Sequence, residues 1–275
     1  MTVTDPGNRR LRMPVVFGPG GSPRGGADGR RYDWSDVRRS SASVSFLTDA
    51  DCLRRLLPPG LELVEPPIVT VEWTALRRLP WLAGRGYNML GVRFNARFRG
   101  RNDTAEGPFL AVLWENRPDP IITGREELGY AKLYCELPEP SMGDSGMAIK
   151  AAWDGHVFCR MALAGLRDAP PPHVNETLQP DRGTLHYRYL PRVSAPGEHD
   201  IAQVVLSPTG GFPQRITAYR KGTGSVTFIR STWEALPTLH HIVNTLAGLP
   251  VLDSLGATWC ESLGGKDLSD QRVLT

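Results

Sequence analysis

Apolar and polar residues alternate with a period of two through much of the first half of the chain, the pattern of strands with one buried face. Val44 and Phe46 alternate with Ser43, Ser45 and Leu47, and Val69, Val71 and Trp73 with Ile68, Thr70 and Glu72. The clearest case sets Val92, Phe94, Ala96 and Phe98 against Arg93, Asn95, Arg97 and Arg99. Phe109, Ala111, Leu113 and Glu115 then alternate with Leu110, Val112 and Trp114. Strand patterns return at 184–193, 201–207, 214–220 and 225–230. Helical signals are few. Residues 49–57 read as a helix with Thr48 or Asp49 as N-cap and Pro58-Pro59-Gly60 as its stop. Arg125 to Tyr130 make one or two turns, and a last helix runs from about Leu236 to Leu246, with Pro237 near its start and Gly248 just past its end. Short strands with helices at the edges predict an α+β fold that is mainly antiparallel β, or a closed barrel.

The 275 residues, 40% of them hydrophobic, suffice for a substantial core. No internal repeat is visible. The expected organisation is a flexible Gly/Pro/Arg-rich N-terminal arm over 1–31 and a single domain over 32–275. A net charge of +3 with scattered arginines gives no nucleic-acid footprint. No apolar run approaches the ~18–20 residues that cross a bilayer, and Met1 to Gly7 carry no export signal. The expected setting is therefore cytoplasmic, with no membrane or nucleic-acid partner. Cys52, Cys135, Cys159 and Cys260 are far apart and read as buried free thiols. The histidines show no metal-binding spacing, so neither a metal nor another cofactor is expected.

Against this background one residue stands out. The chain carries twenty-eight arginines and only four lysines, Lys132, Lys150, Lys221 and Lys266. Where charge alone is needed this chain uses arginine. A guanidinium stays protonated, whereas an amine can lose its proton and attack a carbonyl. Lys132 sits in Gly124-Arg125-Glu126-Glu127-Leu128-Gly129-Tyr130-Ala131-Lys132-Leu133-Tyr134, among apolar and aromatic neighbours. It is a candidate Schiff-base lysine; the plain alternative is a strand lysine facing water. Period two groups Lys132 with Tyr134 and Glu136, opposite Leu133, Cys135 and Leu137. Glu72 and Glu115 end alternating strands and line an internal cavity if the sheet closes.

Other motifs carry less. Gly143-Asp144-Ser145-Gly146 is similar to a serine-protease nucleophile loop, but a turn explains it without catalysis. Gly18-Pro19-Gly20-Gly21 lacks the features of a phosphate loop. The arginine face Arg93/Arg97/Arg99 reads as solvated, with an acidic partner as the alternative.

The Lys132 segment resembles the G-R-E-x-x-G/A-[FY]-P-K-K stretch of the acetoacetate decarboxylase family. The likeness is collinear over roughly 35–250. Asp51 to Pro58, Leu61-Glu62 through Val71-Glu72, and His186-Tyr187-Arg188-Tyr189-Leu190-Pro191 match further family segments. The resemblance implies a cone-shaped barrel around an internal cavity with a few flanking helices, a homo-oligomer, and a small-molecule carbonyl substrate. It makes Lys132 the Schiff-base lysine, Arg39 the partner of the substrate carboxylate and Glu72 a cavity glutamate. Two departures matter. The family's second lysine is Leu133 here, so burial alone is left to favour a neutral amine. The family's Tyr-x-Glu glutamate falls at Met89, in Tyr87-Asn88-Met89, leaving Tyr87 and Met89 as substrate-binding positions. Glu115 is a carboxylate where the family usually has an apolar residue.

The expected activity is thus a Schiff-base lyase acting on a keto acid or β-dicarbonyl compound, with aldol, dehydration or cyclisation chemistry in specialised metabolism. Lys132 is the nucleophile and Glu115, with Glu72 as second choice, shuttles protons. The alternatives are a β-keto acid decarboxylase and a lysine-independent or non-catalytic cavity protein binding a hydrophobic ligand.

Overall fold

A computed structural model describes residues 10–143, 146–174 and 176–275. Asp144 and Ser145, the centre of the protease-like turn, lie outside the described residues. In chain order the strands are β1 (Arg38–Leu47), β2 (Leu61–Leu63), β3 (Ile68–Arg77), β4 (Tyr87–Arg99), β5 (Thr104–Glu115), β6 (Lys132–Tyr134) and β7 (Ser141–Gly143). They continue with β8 (Gly146–Trp153), β9 (His156–Asp168), β10 (Gln179–Pro191), β11 (His199–Thr209), β12 (Arg215–Phe228), β13 (Asp253–Leu263) and β14 (Arg272–Val273). The helices are α1 (Ala50–Arg54), α2 (Pro118–Glu126) and α3 (His240–Ala247).

One sheet contains all the strands, in the order β14-β11-β10-β5-β4-β3-β1-β13-β12-β9-β8-β7, with β2 on β4 and β6 on β5. Its pairings are antiparallel except where β5 meets β10 and β6. The expected mainly antiparallel α+β fold is what forms. Closure is not: among the described residues no ladder joins β14 to β7, so the sheet curls without becoming a hydrogen-bonded barrel. The curl brings distant strands face to face. Trp114 on β5 lies 5.4 Å from Phe158 on β9 and 6.4 Å from Phe228 on β12, between ring centroids. Val71 and Trp73 of β3, Leu90, Val92 and Phe94 of β4, and Val112 and Trp114 of β5 fill the core between these layers. Each fully buried Leu, Val or Phe contributes roughly 1.5–3 kcal/mol.

The predicted alternation of β3 and β4 holds, but that of β5 breaks. Its register with β4 slips from Val92↔Val112 to Arg93↔Leu110, leaving Ala111 as a bulge. A bulge reverses the faces of the residues beyond it. Phe109 therefore shares the core face with Val112 and Trp114, while Leu110, Leu113 and Glu115 share the other. Glu115 is thus on the opposite face from Phe109, contrary to the plain reading of 109–115.

The helix boundaries also differ from the pattern. Asp49 caps α1, its carboxylate accepting from the Cys52 amide at 2.9 Å. A cap of this kind is worth about 1 kcal/mol. The predicted helix at Arg125–Tyr130 instead starts at Pro118 and ends at Glu126. The first turn has amides without helical partners, so Pro118 and Pro120 fit there. The last helix begins at His240, after a run of turns, and ends before Gly248. Cys135 and Cys159 are buried, whereas Cys52 and Cys260 are only half-buried; all four are free. Residues 10–31 are irregular apart from a short 3-10 turn at Val15–Phe17. Ser22 is fully buried, and Arg24 donates to the Leu268 carbonyl and, at 2.7 Å, to Gln271 Oε1. No helix among the described residues is long and apolar enough to cross a membrane.

Candidate active site

The faces of β3, β4 and β5 turned away from the core border a cavity of about 540 Å³. Arg39, Glu72, Tyr87, Met89, Glu115 and Lys132 all line it. Local chemistry around the lysine explains why its motif has this sequence. α2 covers the start of β6, and a Cβ on Gly124 would lie 2.3 Å from both Cδ and Cε of Lys132. Only a glycine leaves room for the lysine to cross the helix. Arg125 donates to the Lys132 carbonyl at 2.9 Å, holding the strand end against α2. Gly129, at φ +73°, reverses the chain in the left-handed region that favours glycine. The Tyr130 amide then closes the turn on the Gly124 carbonyl at 2.9 Å.

Lys132 is 6% exposed and Glu115 fully buried. The lysine Nζ lies 2.8 Å from Glu115 Oε1 and donates to the Pro120 carbonyl at 3.0 Å. The approach to Glu115 is a close ion-pair contact off the hydrogen-bonding direction, and neither oxygen of Glu115 accepts a well-directed hydrogen bond among the described residues. Burial pushes the Glu115 carboxyl above its ordinary range, opposed by the charge of Lys132. The Tyr87 and Tyr130 rings lie 5.9 Å and 5.7 Å from the same Nζ. Burial, then the charge of Glu115, raises the Tyr87 hydroxyl well above its ordinary value, so it stays a neutral phenol. The grouping of Lys132 with Tyr134 and Glu136 does not hold in burial: both are exposed, and only Lys132, roofed by α2, is enclosed.

A second charged group faces the same space. Glu72 accepts from Arg39 and from Arg93, both at 2.7 Å, and from Thr74 at 3.2 Å. Burial alone would raise Glu72, but Arg93 and Arg39 outweigh it and hold the carboxyl below its usual range. Two guanidinium groups share one carboxylate, leaving one positive charge over. Arg93 was expected on a solvated face and instead lines the cavity. Its parity with Tyr87 and Met89 on β4 was the available signal. Arg97 and Arg99 do lie outside, paired with Glu106 and Glu62.

Two further groups were not among the site residues expected from the sequence. Lys266 also borders the cavity, but its ammonium donates to the carbonyls of Pro208 and Gly210 and to Asp270, which ties all three of its protons. His186 stacks on Tyr130 with ring centroids 4.1 Å apart, and its Nδ1–H donates to the Gly129 carbonyl. Burial, against that hydrogen bond, pushes its imidazole down to about 4, so it is neutral. Tyr130 meets Ser207 at 2.6 Å, and Gln271 donates to Ser207 at 2.7 Å. The loop bearing Lys132 is thereby bonded to β10, β11 and the C-terminal segment.

Residues 12–267 match the family model described as acetoacetate decarboxylase. A curated acetoacetate decarboxylase of Clostridium botulinum (strain Eklund 17B / Type B) is 31% identical over 105 residues, 36% of this chain. That match spans 40% of the relative's length. Among solved structures, one from structural studies of acetoacetate decarboxylase superposes with a TM-score of 0.68 at 17% identity, covering 99% of this chain and 98% of the other. The enduracididine biosynthesis enzyme MppR, complexed with the condensation product of pyruvate and imidazole 4-carboxaldehyde, gives 0.60 at 17% identity, covering 93% and 96%. At these identities the structural matches establish a shared fold.

Proposed function

The chain belongs to the acetoacetate decarboxylase family of enzymes, and from that premise we propose that it is a lysine Schiff-base lyase working on a keto acid or β-dicarbonyl substrate, with aldol and dehydration chemistry as its net reaction. The observation that carries this reading is the enclosed contact of Lys132 Nζ with Glu115 at 2.8 Å, beside Leu133 where the family motif has a second lysine. The neighbouring ammonium of the family motif is thus absent, and the group against the amine is a carboxylate able to exchange protons.

In the proposed cycle the Lys132 amine replaces the keto oxygen, which leaves as water, giving an iminium. The iminium withdraws electrons, so the adjacent carbon loses a proton to Glu115 and an enamine forms. The enamine pair bonds to the carbonyl carbon of an aldehyde, whose oxygen takes the proton back. Loss of a second α-proton and of the new hydroxyl as water creates a double bond. Hydrolysis then returns the free amine and the product. Net, one keto acid and one aldehyde give one unsaturated keto acid and one water.

The two cavity carboxylates divide the work by environment. Glu115, raised by burial, is suited to take a proton and return it. Glu72, kept ionised by Arg93 and Arg39, is not; it positions the two guanidiniums, whose surplus charge meets the substrate carboxylate, with Arg39 as first choice. Tyr87, a neutral phenol, donates to a substrate oxygen, and Met89, opposite Glu115 in the β4–β5 ladder, packs against it.

The MppR complex with a pyruvate condensation product supports this reading by analogy. The C. botulinum relative favours a second one, β-keto acid decarboxylation. Incubation with pyruvate plus an aldehyde, and separately with acetoacetate, distinguishes them. Condensation product with little CO2 release is expected. Acetoacetate turnover as fast as the condensation promotes the decarboxylase.

A further inference from the structure

A keto acid the size of pyruvate leaves most of the 540 Å³ cavity unfilled; pockets of roughly 300–1,000 Å³ take drug-sized ligands. Part of the unused wall is apolar and aromatic. Trp34, Val37, Leu76, Leu79 and Trp81 line it and pack with Leu82, Tyr87 and Met89 as a cluster separate from the main core. Tyr87 and Met89 join this patch to the reactive pair, since Lys132 Nζ lies 5.9 Å from the Tyr87 ring and Met89 is the ladder partner of Glu115. Two indoles, Trp34 and Trp81, belong to this wall.

We propose that this patch is the subsite of the second reactant, an aryl aldehyde. The ring lies among Trp34, Leu79 and Trp81, and the aldehyde carbon points to the enamine on Lys132. The covalent steps are those of the condensation above, so this assignment rests on the Schiff-base reading. It adds that the enzyme selects its aldehyde by aromatic area.

The test uses 6-methoxy-2-naphthaldehyde as aldehyde and its alcohol, 6-methoxy-2-naphthalenemethanol, which cannot form an imine. The alcohol should bind with saturable quenching of tryptophan emission, and still bind to Lys132→Met. Trp81→Ala should weaken that binding by at least ~10-fold, the low end of what one methylene is worth in an apolar pocket. Trp34→Ala should weaken it as well, by at least ~10-fold. With pyruvate, kcat/KM for the naphthaldehyde should exceed that for acetaldehyde, and Trp81→Ala should lower this ratio at least ~10-fold. Absence of saturable alcohol binding, or binding indifferent to both tryptophan variants, overturns the subsite. So does pyruvate imine formation at Lys132 without preference for the aryl aldehyde. Alcohol binding that responds to both tryptophans when no imine forms at Lys132 supports the subsite while removing the Schiff-base reading.

Discussion

Replacing Gly124 with alanine adds one methyl group, and the geometry makes its consequence specific. The new Cβ would stand 2.3 Å from Cδ and Cε of Lys132 and 2.6 Å from Nζ. Carbon atoms in contact sit about 3.5–4.0 Å apart, so something must move by more than ~1 Å. The helix is poorly placed to yield, because the Gly124 carbonyl holds the Tyr130 amide and Arg125 holds the Lys132 carbonyl. The side chain of Lys132 must therefore swing, losing its contacts to Glu115 at 2.8 Å and Pro120 at 3.0 Å. A misplacement of ~1 Å at a reacting group costs roughly 10²-fold in rate. Helix propensity works in the opposite direction, since alanine is better than glycine by about 1 kcal/mol in a helix interior. Overpacking costs roughly 1–3 kcal/mol, so the net change in stability is small while the change in reactivity is large. The assay is the rate of borohydride trapping of pyruvate on Lys132, with urea denaturation run in parallel. A Gly124→Ala protein that is folded and traps within a few-fold of the wild-type rate refutes the argument that Gly124 makes room for the lysine.

Glu115→Gln keeps the shape and removes the proton acceptor, so kcat should fall by roughly 10²–10⁴-fold. In the wild type the acid limb of the kcat/KM profile should lie above the ordinary carboxylate range, because burial raises Glu115; a limb that persists in Glu115→Gln assigns it to another group. Arg39→Ala should raise KM for carboxylate-bearing substrates more than it lowers kcat, and an unchanged KM excludes Arg39 from substrate binding. His186 is neutral and held at about 4 against an ordinary 6.5, so its contribution to stability is complete above pH 6.5 and lost as pH falls toward 4. That loss is on the order of 3 kcal/mol, and urea midpoints of His186→Gln should be correspondingly flatter across this window.

The buried Lys132–Glu115 pair was legible because it rests on composition and on a local motif. A chain that uses lysine four times and arginine twenty-eight times marks Lys132 before any coordinates, and Glu115 follows as the acidic residue in an apolar strand. What surrounds the pair was less visible, for identifiable reasons. The bulge at Ala111 reverses strand parity, and nothing in the residue pattern announces it. The helix that roofs Lys132 was expected at Arg125–Tyr130, toward the end of α2, whose first turn holds Pro118 and Pro120. β8 and β9 place alanines at exposed positions, as at Ala148 and Ala162, which erases the contrast that alternation needs. Arg93 was grouped with Arg97 and Arg99 by sequence spacing, yet the curl of the sheet encloses one end of β4 and leaves the other in water. Trp34, Trp81 and Lys266 reach the cavity from segments outside the central strands, and only tertiary structure brings them there.

The most direct measurement is reductive trapping with site assignment. The protein is incubated with pyruvate and borohydride, digested, and mapped by mass spectrometry, with Lys132→Met as control. The account predicts a single pyruvate-derived reduced adduct on Lys132, absent from the variant, with Lys266 unmodified because its ammonium already donates to three acceptors. An adduct on Lys150, Lys221 or Lys266, or no adduct with pyruvate or acetoacetate, contradicts it.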